Sequence, residues 1–97
     1  VSVRDAGGLV TFGTLGSNTT RGNVTITNNQ AGVNFNSPVT AAQINLNGTA
    51  NNQTITFNDN LDLTSGLKTA AGYNLALKGT TNVISGPSST TLVTLEL

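Results

Sequence analysis

The strongest constraint on the fold is a phrase that the chain spells twice. Residues 33–51 contain Val33-Asn34-Phe35-Asn36, then Thr40-Ala41-Ala42, then Ile44-Asn45-Leu46-Asn47-Gly48-Thr49-Ala50-Asn51. Residues 54–82 contain, in the same order, Ile55-Thr56-Phe57-Asn58, Thr69-Ala70-Ala71 and Leu75-Ala76-Leu77-Lys78-Gly79-Thr80-Thr81-Asn82. Units this short cannot bury an apolar face alone, so repetition implies that one copy stacks on the next. Phe12, Phe35 and Phe57 recur roughly every 22 residues, the length expected of one turn of a parallel β-helix. Between Phe57 and Thr69 the second copy is longer than the first. Residues 60–68 therefore read as an excursion from one corner, where any specific contact would lie.

Period-2 alternation dominates the rest of the chain. Val24 and Ile26 alternate with Thr25 and Thr27, Ile44 and Leu46 with Asn45, and Tyr73, Leu75 and Leu77 with Asn74 and Ala76. Asn-, Gly- and Ser-rich breaks follow each run, among them Asn47-Gly48, a strong tight-turn dipeptide. No window carries a helical stripe, and Lys68–Ala71 is too short to nucleate a helix. The pattern predicts an all-β chain of short strands, favouring a parallel β-helix (solenoid). An antiparallel β-sandwich of a fibre-forming subunit is the alternative, because short strands at regular spacing also suit a sandwich.

The 97 residues allow one β domain spanning 1–97, with a modest core. Charged residues make up 8% of the chain and cancel to no net charge. Globular domains usually carry about a quarter. This leaves no basic footprint for nucleic acid, and no apolar run approaches a membrane span. With no cysteine, a small domain needs another source of stability, such as ladder stacking, metal or assembly. The chain has no signal peptide and no Met at position 1, and it reads as a fragment or a processed mature chain.

The segments Ile55-Thr56-Phe57-Asn58 and Leu67-Lys68-Thr69-Ala70-Ala71-Gly72-Tyr73-Asn74-Leu75-Ala76-Leu77-Lys78-Gly79-Thr80 resemble the β-helical repeats of filamentous-haemagglutinin and autotransporter-type bacterial surface adhesins. The resemblance runs over about residues 33–86. It implies a secreted or cell-surface location and a structural or adhesive role, and supplies no catalytic residues. A stalk segment or a subunit of a cell-surface filament is the expected function. A small sandwich module binding carbohydrate or a protein is the alternative.

Catalysis lacks its materials: no His, no Cys, and Asp5, Asp59, Asp62 and Glu96 as the only carboxylates. No cofactor is expected. Asp59 and Asp62, in an oxygen-rich turn, are weak candidate metal ligands, without the glycine and bidentate glutamate of a calcium loop. Glycosylation acceptors occur at Asn18, Asn23, Asn47 and Asn52, a number that chance supplies in a chain so rich in Asn, Ser and Thr. The threonine pairs Thr25/Thr27 and Thr54/Thr56 lie on an outward strand face, as in ice-binding arrays. With no regular rung spacing between them they make a weak array, and β-propensity explains them. The two ends alternate as strands, so Val1, Val3, Val93, Leu95 and Leu97 are candidates for self-association through terminal strands or end rungs. A host or surface glycan is the other partner considered.

Overall fold

The computed structural model describes residues 1–5, 7–17, 21–28, 30–48, 53–89 and 92–97, with residues 92–94 described by their backbone alone. Among the described residues twelve strands follow one another: β1 (Ser2–Arg4), β2 (Val10–Phe12), β3 (Asn23–Thr27), β4 (Val33–Phe35), β5 (Val39–Ala41), β6 (Gln43–Asn47), β7 (Thr54–Phe57), β8 (Leu61–Leu63), β9 (Leu67–Thr69), β10 (Tyr73–Leu77), β11 (Val83–Ile84) and β12 (Leu92–Glu96). No helix occurs among the described residues.

The strands form three walls. Wall A runs β1-β3-β6-β9, wall B β2-β4-β7-β10-β12, and wall C β5-β8-β11. Every pairing is parallel, and the chain visits A, B and C in turn. Single bridges, Leu15 to Val39 and Lys68 to Ser89, extend wall C downward and wall A upward. This is the parallel β-solenoid favoured by the sequence, about four turns high; the antiparallel sandwich is not adopted.

Alternation builds the core one column at a time. In wall B, Val10, Val33, Ile55, Leu75 and Leu95 stand above one another, and beside them Phe12, Phe35, Phe57 and Leu77. Wall A contributes Val24, Ile44 and Leu67, and wall C Val39 and Leu61. Those between the end rungs are buried. The intervening positions (Thr25 and Asn45 in A, Asn34 and Thr56 in B, Thr40 and Asp62 in C) face outward. A strand spacing of about 4.8 Å brings like side chains into contact, so a column of β-branched and aromatic residues packs without gaps.

The structure corrects the alignment of the two copies. Val33–Phe35 does lie under Ile55–Phe57. From there, however, Val39–Ala41 lies under Leu61–Leu63, and Ile44–Leu46 lies under Leu67–Thr69. Leu75–Leu77, which resembles Ile44–Leu46 in spelling, belongs to wall B above Ile55–Phe57. The matching phrases are therefore out of step by one wall. Residues 60–68 are no excursion but β8 and the start of β9. An apolar-x-apolar triplet followed by a Gly or Asn corner suits any wall, so spelling alone does not identify which.

Corners need left-handed residues. At the end of wall A, Asp5 (φ 53°), Asn28 (φ 54°) and Gly48 (φ 70°) occupy equivalent positions on successive rungs. The Asp5 N–H donates to Thr27 O and the Asn28 N–H to Asn47 O. Asn47-Gly48 is thus a bend between walls, where a hairpin would have reversed the chain. A Cβ on Gly48 would overlap the Asn28 side-chain oxygen, which would have to swing aside, and the positive φ favours glycine there.

Candidate functional site

Two kinds of surface are available for function: the polar outer walls and the open end rungs. No pocket opens among the described residues, and no group of three or more His, Cys, Asp or Glu gathers there.

The oxygen-rich turn between walls B and C is used for holding rungs together. Asp59 Oδ1 accepts the N–H of Asn60 at 2.7 Å, Asn60 Oδ1 accepts the N–H of Thr81 at 2.9 Å, and Asn82 Oδ1 accepts the N–H of Leu61 at 3.1 Å. Asn58 Nδ2 donates to Asn36 Oδ1 at 2.9 Å, the equivalent residue one rung below. The oxygens of Asp59, Asn60 and Asn82 accept backbone N–H groups that a corner leaves without ladder partners. Asp62, the second metal candidate, lies on the outer face of wall C and is held by Arg21. Arg21 Nη2 donates to Asp62 Oδ2 at 3.1 Å and Nη1 to Oδ1 at 3.3 Å. The same Nη1 lies 3.3 Å from the carbonyls of Ala41 and Asp62, so the guanidinium spans two rungs. The two aspartates thus have separate structural partners.

Sequence reasoning missed this clasp, since residues 41 apart acquire a relationship only once the rung register is known. It also missed the hydroxyl of Tyr73. The ring is fully buried, and its O–H donates to Asn47 O at 2.7 Å, with Ile26 O at 3.5 Å as a distant second acceptor. Phe35 and Phe57 are buried as well. The walls therefore present no aromatic platform for stacking a sugar.

Of the glycosylation candidates, Asn23 at the start of β3 and Asn47 at the end of β6 are exposed. Asn18 and Asn52 lie outside the described residues. The threonine pairs fall on different walls, Thr25/Thr27 on A and Thr54/Thr56 on B, and form no common array.

The ends are apolar. At the lower end Val1 and Leu9 are more than half exposed, and Val3, Val10, Phe12 and Leu15 are covered from one side only. At the upper end Val83, Ile84, Leu95 and Leu97 are exposed, Leu97 at 87%. The side chain of Val93 lies outside the described residues. β1 is tied to its own wall: the Val1 ammonium donates to Asn23 O, and Val1 O accepts the Thr25 N–H. Within these residues β1 and β2 are paired only from above, β11 and β12 only from below.

No family model matches the chain, nor does any curated protein or solved structure.

Proposed function

We propose that the chain is a non-enzymatic structural or adhesive element outside the cell, a β-rich stalk segment or a subunit of a cell-surface filament. One observation carries this reading. The apolar column of wall B runs unbroken from Val10, half-buried at the lower edge, to Leu95, 54% exposed at the upper edge. A further rung, from the same polypeptide or from a second copy, continues such a column with no change in chemistry. Stiffness follows from the same geometry, because each rung contacts only its neighbours and bending must break ladder hydrogen bonds along a whole wall. The outer Asn and Thr hydrate the walls, and absence of net charge imposes no repulsion between stacked copies. The same walls are where a host or surface glycan would make polar contacts.

Size-exclusion chromatography with negative-stain microscopy tests the filament form. Rods that lengthen with concentration are the expected result; a stable monomer with glycan affinity overturns it in favour of a binding module. Limited proteolysis tests the structural role: the walls should resist, and rapid cleavage within β4, β7 or β10 would exclude a stiff element.

A further inference from the structure

Asn47-Gly48 is the only Asn-Gly pair in the sequence, and both residues are exposed at the corner between walls A and B. In such a pair the Gly48 nitrogen, once it loses its proton to solvent base, can attack Asn47 Cγ. A new C–N bond closes a five-membered imide while the bond from Cγ to the amide nitrogen breaks, and ammonia leaves. Water then opens the imide at either carbonyl, yielding aspartate or the β-linked isoaspartate. Glycine favours the attack because no side chain shields its nitrogen.

Ring closure requires the bond between Cα and the carbonyl carbon of Asn47 to rotate out of the extended range of a strand. The Asn47 carbonyl oxygen moves with that rotation, and two donors hold it: the Asn28 N–H at 3.1 Å and the Tyr73 hydroxyl at 2.7 Å. The second comes from a fully buried ring, whose hydroxyl loses its short acceptor when the carbonyl swings away. Donation to this carbonyl also acidifies the adjoining Gly48 N–H, which would by itself speed the attack. Both hydrogen bonds must nevertheless break before the ring can close, so the lock outweighs the activation. The geometry points to Asn47 as a site of spontaneous deamidation whose rate is held down by Tyr73 from inside the core. Conversion to isoaspartate would lengthen the main chain at the end of β6. It would also place a new carboxylate beside the corner where Asn28 Nδ2 binds Asp5 Oδ1 at 3.0 Å.

The test incubates the whole chain at mildly alkaline pH, folded and in denaturing urea, and follows Asn47 by mass spectrometry of proteolytic peptides. The folded chain should convert more slowly than the chain in urea, by roughly tenfold or more. Tyr73→Phe should raise the folded rate at Asn47 roughly three- to tenfold, leaving the rate in urea and the folded rates of the other asparagines unchanged. Asn47→Gln should abolish the product. Equal rates for the folded and denatured wild-type chain overturn the proposal, whether or not Tyr73→Phe folds. So does a folded Tyr73→Phe chain, judged by circular dichroism, whose Asn47 converts at the wild-type rate or more slowly.

Discussion

Phe35 and Phe57 stack face to face on adjacent rungs, their ring centroids 4.5 Å apart and their planes 4° from parallel. Phe12 continues the stack below Phe35 at 5.1 Å and 15°. Isolated aromatic pairs prefer offset or edge-on packing. Here the fixed rung spacing and the parallel register impose near-parallel planes. The rings gain contact area from a geometry that the backbone has already fixed.

Truncating a ring in the middle of this stack should therefore cost more than truncating one at its end. Phe35 is fully buried between two rings. Phe35→Ala should lose about 3–5 kcal/mol, a large part of the stability of a domain this size. Phe12 is half-buried with no ring beneath it, and Phe12→Ala should lose clearly less. Urea midpoints of the two variants check the order; equal losses would show that the stack acts as no column.

Glycine positions divide in the same way. Gly66 has φ +96°, and an added Cβ would overlap the backbone carbonyl of Pro87. Backbone cannot swing aside as a side chain can. Gly66→Ala should cost more than about 2 kcal/mol, from positive φ and overlap together. At Gly13 an added Cβ meets nothing within 4 Å. Gly13→Ala should fall between neutral and about 1 kcal/mol stabilising, by lowering the entropy of the unfolded chain. Thermal unfolding of the pair distinguishes a specific corner requirement from a general intolerance of substitution.

The repeat of Val33–Phe35 in Ile55–Phe57 was legible because the phenylalanines are scarce and mark a single column. The later phrases misled because Ile44-Asn45-Leu46 and Leu75-Ala76-Leu77 satisfy the same in-out alternation in different walls. Periodicity reports which residues face inward. It does not report the wall, which depends on the length and handedness of each corner. The partners of Asp62 and Tyr73 were hidden for the same reason, as both reach across rungs to groups that register alone brings near.

Arg21 and Asp62 form a two-pronged pair, with side chains 19% and 42% exposed. Solvent screens a pair this open, so the two-pronged geometry should keep its coupling near about 0.5–1 kcal/mol. A double-mutant cycle with Arg21→Ala and Asp62→Asn should measure that coupling and show it shrinking in high salt. A coupling near zero would mean that the carbonyls of Ala41 and Asp62, more than the carboxylate, hold the guanidinium.

Leu95 stands directly above Leu75 and is 54% exposed, the last apolar side chain in its column with a partner below. Leu95→Asp places a charge where a further rung would bury it, and burying an unpaired carboxylate costs far more than the leucine contact contributes. In a single copy the new side chain remains in water, so stability should change by no more than about 1 kcal/mol. The variant should therefore stay folded while losing any concentration-dependent assembly. Asn45→Asp adds the same charge to the outer face of wall A, away from both ends, and should assemble like the wild-type chain. Sedimentation velocity on the three proteins decides the matter. Loss of assembly in both variants would assign it to net charge, and retention in both would show that copies do not meet through the column ending at Leu95.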